Sequence, residues 1–354
     1  MKRIAFVTYL YTDSNFESGG VKLNYLLVDG LKNAGYHVDL FCSEVLSNVH
    51  NLFENIYPFN EIENNRDKYD FILSDKASLK SDITYIHDHS YPFRAKKMFS
   101  PLNFSLYKIF KKKRHLARLN DFYRVKENLA NTKLVVVSSN VLKKDMIENY
   151  GVDEEKIVII PPPIEDYPEQ VSKILNKKVF TFGLCAVGFQ RKGGYIALNA
   201  INKLKNKNKN FKLKIIYPKN NFFVKFLVKL YGLEKYCEFL GIFEDMSKFY
   251  NSIDCLIMPS VLEPFGMVTT EALACGVPAI VPTHCGACDA IESGYNGIVY
   301  DAGKNPVSML AKAMQEMLDI DMEKYSQMSK NSLEKANSYM ADPFTKEYLK
   351  LLTK

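Results

Sequence analysis

"CLIMPSVLEPFGMVTTEALACGVPAIVP", residues 255–282, decides the fold class. The apolar run from Cys255 reads as a strand covered on both faces, ending at Pro259–Ser260. A turn carrying Glu263-Pro264-Phe265-Gly266 follows, and the spacing predicts a helix from about Met267 to Cys275. Gly276 predicts the stop of that helix, and residues 277–282 begin the next strand. A strand–turn–helix–strand unit belongs to a parallel sheet, with the turn at a strand's carboxyl end. Free backbone N–H groups and the helix dipole at such a turn favour an anion such as phosphate. Glu263 in the turn can accept hydrogen bonds from hydroxyls beside that anion, and Glu271, about one turn into the helix, can reach a second set. A carboxylate accepting two vicinal hydroxyls is a common way of holding ribose. The constellation fits a nucleotide sugar, with sugar at Glu263, diphosphate at the helix start formed by Phe265, Gly266, Met267 and Val268, and ribose at Glu271.

Outward from this segment, short β-branched and aromatic runs alternate with helix-length patterns. "IAFVTY", "VDLFCS", "DFILSD", "DITYIH", "KLVVVSS" and "IVIIP" are the strand candidates of the first half. "FTFGLC", "LKIIYP", "CEFLG", "CLIMPS", "PAIVP" and "GIVY" are those of the second. Between them lie helical patterns such as 23–34, 140–150 and 196–205. The alternation predicts an α/β protein with two doubly wound, Rossmann-like parallel-sheet domains facing across a cleft. Pro161–Pro163 forbid helix and central strand and mark the divide. The expected domains are 1–165 and 166–338, with 339–354 a terminal helix crossing back to the first domain.

Taken together, these residues resemble the E-x7-E signature of retaining glycosyltransferases of family 4, which have the GT-B fold. Glu263 and Glu271 match its two glutamates, with "FLG", "MPS", "ACGVP" and "ESGYNGIVY" agreeing around them. "VGFQRKGG" resembles the family's basic diphosphate clamp, and Lys192 matches its lysine. The family's usual arginine falls here on Val187, which leaves Arg191 either to take that role or to leave the clamp weaker. Gly19-Gly20 in "NFESGGVKLNYLL", placed in the loop after the first strand, resembles the glycine pair beside the donor. In "TYIHDHS", His87 matches the family's cleft histidine, with His89 two positions on as a competitor. "THCGACDAIESG" departs from the family loop, with Asp289 where a glutamate is usual, and "IIYPKNN" lacks the expected glycines. The resemblance implies transfer of a sugar from a UDP- or GDP-linked donor to a glycan or lipid-linked acceptor in surface polysaccharide or glycoconjugate synthesis. It implies retention of configuration and no cofactor or bound metal. A nucleotide-sugar epimerase of the same fold and a non-catalytic partner subunit of a transferase are the competing readings.

Charge and cysteine usage frame the partners. The chain has 354 residues and a net charge of +7, but eleven basic residues against one acid lie between Arg94 and Lys126. That stretch carries +10 and the remainder −3, so basicity is local. "FSLYKIFKKKRHLARLNDFYRVK" interleaves apolar and basic residues at helical spacing. It reads either as a helix on an anionic leaflet, with Phe104, Tyr107 and Phe110 dipping in, or as a solvated basic helix. No nucleic-acid motif accompanies it. The seven cysteines lie mostly singly in apolar contexts, and the pair Cys285–Cys288 lacks a second pair of ligands, so a small-residue loop is expected there. No apolar run approaches the roughly 18–20 residues that span a bilayer. A cytoplasmic protein, peripheral at the inner face of a membrane if the basic helix docks there, is the resulting expectation.

Overall fold

In the computed structural model the chain forms two compact units, Met1–Pro163 with Ala341–Lys354, and Ile164–Met340. The structure describes residues 2–8, 10–11, 19–45, 52–98, 100–164, 173, 179–207, 210–217, 221–241 and 245–353.

The first unit contains β1 (Arg3–Val7), β2 (Leu10–Tyr11), β3 (His37–Cys42), β4 (Glu44–Val45), β5 (Ile56–Pro58), β6 (Phe71–Asp75), β7 (Ile83–Ile86), β8 (Leu134–Val137) and β9 (Ile157–Ile159). Seven of these make a parallel sheet in the order β5-β3-β1-β6-β7-β8-β9, and β2 pairs with β4. The chain starts in the middle, winds outward through β3 and β5, and returns to β6. The topological switch point therefore lies between β1 and β6, where α/β sheets bind ligands at the strands' carboxyl ends. Helix α1 (Gly19–Asn33) presents Leu23, Leu27 and Leu31 at four-residue spacing to the core strand residues Ile4, Phe6, Val38 and Leu40. Gly19 and Gly20 are the first residues of this helix rather than part of the loop before it. Residues 12–18, including the rest of that motif's lead-in, lie outside the described residues.

Three helices lie between β7 and β8: α2 (Tyr91–Met98), α3 (Pro101–Phe110) and α4 (Lys112–Ala130). In α4, Phe122, Val125 and Leu129 are buried, a narrow stripe that leaves the basic residues other than Arg124 in solvent. The orientation of α3 corrects one expectation. Phe104 and Tyr107 are half-buried and pack edge-on against His115 of α4, while Ile109 and Phe110 are 69% and 76% exposed. Residues three apart share a helical face, so 104 and 107 turn inward together, whereas Phe110, the last residue of the helix, lies beyond the contact with α4. After β8 comes α5 (Asn140–Asp145), continued as one wider turn through Met146–Tyr150.

The second unit has six parallel strands: β10 (Phe180–Cys185), β11 (Phe211–Ile216), β12 (Cys237–Gly241), β13 (Cys255–Ile257), β14 (Ala279–Pro282) and β15 (Gly297–Tyr300). Their order is β12-β11-β10-β13-β14-β15, so its switch point lies between β10 and β13. Helices α6 (Gly194–Leu204), α7 (Phe222–Leu230), α8 (Met246–Asn251), α9 (Met267–Ala274), α10 (Pro306–Leu318) and α11 (Met322–Ala336) complete it. Met314 and Met317 of α10, with Leu198 and Ile201 of α6, join Phe182, Leu213 and Ile215 in one core.

The terminal helix α12 (Ala341–Leu351) belongs to the first unit, where Phe344, Tyr348 and Leu351 are buried with α1 and the central strands. All twelve strand runs read from the sequence form strands. The additional members are the two-residue pair β2–β4 and the edge strand β5, which is three residues long and ends in Pro58. Proline donates no ladder hydrogen bond, and at a sheet edge none is required.

Candidate active site

The two sides of the second unit's switch point carry the two sequence motifs. The loop after β10 holds Arg191, Lys192 and Gly193, and the turn after β13 holds Glu263 through Gly266. They are stitched together by backbone, with the Val261 N–H donating to the Arg191 carbonyl at 2.9 Å. Gly193 is left-handed (φ +73), and a Cβ there would overlap the Pro259 carbonyl, so only glycine lets the two loops approach. Gly266 is left-handed as well (φ +90) and forms the N-cap of α9, with a Cβ 2.6 Å from the Met258 sulfur. The first-turn amides of Met267 and Val268 follow it, beyond reach of any intrahelical acceptor.

Glu263 is the electrostatic centre. Its side chain is 11% exposed, and Oε2 accepts from Lys192 Nζ and, at 3.4 Å, from Arg191 Nη1. Arg191 also donates to the Leu262 carbonyl at 3.3 Å, which holds its guanidinium over the turn. Val187, where the family pattern has arginine, is an exposed aliphatic residue. The buried Ser260 hydroxyl at this strand end has no hydrogen-bond partner among the described residues. The loop at 286–290 backs the turn, Gly286 N–H donating to the Glu263 carbonyl at 3.0 Å. At this loop Cys285 donates to the Ser260 carbonyl and Cys288 to that of Thr283.

Glu271, in the second turn of α9, accepts a 2.6 Å hydrogen bond at Oε2 from the phenol of fully buried Tyr250. Burial pushes the Cys185 thiol, at the end of β10, up to about 12, with the Glu271 charge adding to the rise and that of Lys192 opposing it. Both motifs thus bear on one partly buried thiol. Tyr250 and Cys185 were not read from the sequence; Cys185 ends a strand beside the switch point, a position that would have marked it, whereas nothing marks Tyr250.

In the first unit, His87 follows β7. Burial lowers the pKa of its imidazole; Asp75 and Asp88 oppose that and Lys76 adds to it. Its Nδ1 lies 3.4 Å from Asp75 Oδ1, yet neither atom has a hydrogen-bond partner among the described residues. Asp75 ends β6 at the switch point and accepts from the Thr8 hydroxyl at 3.2 Å. His89 has a different environment. It is buried, bonds Asp145 at 3.0 Å through Nδ1, and stacks on Phe93 at 4.2 Å. Asp145 also accepts from the Ser90 N–H and hydroxyl and from Asn149, a set of short contacts that fixes the β7–α2 corner to α5. Among the described residues, His37, Asp39 and Glu54 are the one group whose ligand atoms lie within 4.8 Å of one another. Asp39 there already receives Arg3, Asn55 and Tyr69, which leaves it poorly suited to a cation.

A parallel-sheet unit with a basic loop and a glutamate turn meeting at its switch point, in a chain with a second parallel-sheet unit, is the arrangement of the GT-B glycosyltransferases. Residues 18–166 match the family described as "Glycosyltransferase Family 4" and residues 169–335 the one described as "Glycosyl transferases group 1", and the chain belongs to this glycosyltransferase family. It is 26% identical to a mannosylfructose-phosphate synthase of Agrobacterium fabrum over 231 residues, covering 58% of this chain and 49% of that protein. The chain thus aligns with about half the length of such relatives. Its fold is similar to that of WaaG, a glycosyltransferase involved in lipopolysaccharide biosynthesis (TM-score 0.73, 17% identity, 99% of each chain). It is similar also to HepE of Anabaena, solved with UDP (TM-score 0.74, 16% identity, 100% of each chain).

Proposed function

We propose that the protein is a retaining glycosyltransferase that moves a sugar from a UDP- or GDP-linked donor to a glycan or lipid-linked acceptor. The observation that carries this reading is the contact of Lys192 and Arg191 with Glu263 at the mouth of α9. Long cationic side chains meet a carboxylate where the fold leaves amides pointing at an anion. In the proposed complex Lys192 and Arg191 turn to the donor diphosphate, and Glu263 is released to the sugar hydroxyls. The α9 amides at Met267 and Val268 hold phosphate oxygens, and Glu271 takes the ribose, its carboxylate aimed by Tyr250.

In the transfer step the bond from the anomeric carbon to the diphosphate oxygen breaks with its electron pair. The acceptor oxygen bonds to the same face of that carbon. The acceptor proton passes to a departing phosphate oxygen. Lys192 as a point charge and Arg191 as a planar fork stabilise the charge that develops on the diphosphate. His87, kept neutral by burial, serves as a hydrogen-bonding group toward the donor sugar. The cations replace a metal in this scheme, so transfer is expected to persist in excess chelator. HepE, named in its complexes with UDP and UDP-glucose, makes the uridine donors the first to try.

No described helix is long and apolar enough to cross a membrane. The outward Ile109 and Phe110 of α3, beside Lys108 and residues 111–114, support a peripheral contact of the first unit with anionic lipid at the cytoplasmic face.

Thermal stabilisation and donor hydrolysis across a panel of UDP- and GDP-sugars test the reading. At least one nucleotide sugar stabilises the protein, and Glu271→Ala removes that stabilisation. Silence across the whole panel overturns the transferase reading, and wild-type affinity in the Glu271 variant removes that residue from the ribose.

A further inference from the structure

Helix α7 of the second unit has an outer face that its own fold leaves uncovered. Val224 and Val228 are buried in the unit's core. On the opposite side Phe222 and Leu230 are 82% and 62% exposed, with Phe223 and Phe226 exposed beside them. At 100° per residue, Phe222, Phe226 and Leu230 form one row and Lys225 and Lys229 the row next to it. Among the described residues neither lysine meets a carboxylate. The sequence from 211 to 233 holds five lysines and no acid. An apolar row with a cationic border and no acid is the pattern of a helix lying flat in a lipid interface, where apolar side chains enter the acyl boundary and lysines reach headgroup phosphates. Contiguous exposed phenylalanines also exceed what a solvated helix needs.

We infer that α7 is a contact with an anionic bilayer, its Phe222, Phe226 and Leu230 inserted and Lys225 and Lys229 on lipid phosphates. The inference deepens the peripheral-membrane part of the proposed function. The same chemistry recurs on α3 of the first unit, where Ile109 and Phe110 stand beside Lys108 and residues 111–113. A lysine border with no acid in the surrounding sequence favours a surface of anionic headgroups as the occupant of α7.

The chain contains no tryptophan, so Phe226→Trp is a single-site reporter at an already exposed aromatic position. Its emission is expected to move to shorter wavelength with vesicles of phosphatidylcholine plus phosphatidylglycerol and not with phosphatidylcholine alone. Phe222→Ser with Leu230→Ser, both on the surface, should weaken binding to the mixed vesicles at least about tenfold. Unshifted emission, or unweakened binding of the serine variant, overturns the inference. So does a shift that follows protein concentration without lipid, which would make a second copy the occupant. Phe110→Trp reads the first unit separately, and its shift alone would keep the α3 contact while removing α7. Stabilisation by UDP-sugars, measured without lipid, reads the transferase assignment apart from both.

Discussion

The switch points of the two sheets make an instructive pair. Both units wind from a central strand outward and back, and both place acidic side chains where the winding reverses. In the second unit Glu263 is held by Lys192 and Arg191, long cations whose side chains are 16% and 40% exposed. In the first, Asp75 and His87 lie 3.4 Å apart with unmatched hydrogen-bonding atoms. Elsewhere in that unit buried carboxylates look different. Asp145 is gripped by His89, Ser90 and Asn149, and Asp39 by Asn55, Tyr69 and Arg3. Burial alone would raise the Asp39 carboxyl, and those donors with the charge of His37 hold it below its ordinary value. A carboxylate saturated by three or more hydrogen-bond donors is part of the architecture. One met by flexible cations at a strand's carboxyl end can exchange them for a ligand.

The largest effect expected from this contrast falls on Lys192. Lys192→Ala should lower kcat by about 100- to 1,000-fold, the cost of removing one charge-stabilising group from a transition state. The fold should survive, because the pair it breaks lies at the mouth of the turn. Steady-state kinetics with an active donor and a thermal melt of the same sample check both halves. A variant with unchanged kcat would reduce the Lys192–Glu263 pair to an ordinary ion pair.

Asp145→Ala should do the reverse. It leaves the His89 ring, the Ser90 hydroxyl and its N–H without their buried acceptor, at a cost of about 3 kcal/mol. Calorimetry should show the first unit's transition moving down while nucleotide affinity in the second unit stays as it was. A loss of nucleotide affinity with an unmoved melt would reverse the two roles.

Tyr250→Phe is a finer cut at the same distinction. Tyr250 is a positioning residue, since its phenol touches Glu271 and the rest of it is core. Removing a hydrogen bond to a charged group is worth about 1.5 kcal/mol, roughly tenfold. That loss should appear in the donor KM, with kcat nearly intact, because in the proposed complex Glu271 holds ribose equally in ground and transition states. A drop confined to kcat would place Tyr250 in the chemistry instead.

The sequence made most of this scaffold legible because parallel strands buried on both faces announce themselves as apolar runs. β10, β12 and β15 begin and end where their runs do, while β5, short and closed by Pro58, gave no periodic signal. Glu263, Glu271, Arg191 and Lys192 were readable since each belongs to a compact motif at a loop. Tyr250 was not, because it lies 21 residues before its partner and is joined to it only by packing. His87 and His89 shared one motif, and only three-dimensional contacts separated them: Asp145 claims His89 from 56 residues away. On α3, residue type was visible but rotation was not, so Phe104 and Tyr107 were placed on the wrong face.

The smallest effect tests the first unit's side of the comparison through pH. Burial holds the His87 pKa below that of an exposed imidazole. Between those two values the unfolded chain binds a proton that the folded chain does not, so stability must fall as pH drops through the ordinary imidazole range. It levels off once the folded-state value is passed and His87 itself is protonated. The size of that fall is set by how far burial moves the imidazole's pKa. His87→Gln, which cannot titrate, should flatten the acid side of the melting curve by that amount while leaving the neutral side in place. An acid limb identical to the wild type would mean that the imidazole is as well solvated folded as unfolded. The contact with Asp75 would then be a surface approach, without the poise that sets Glu263 apart from Asp145.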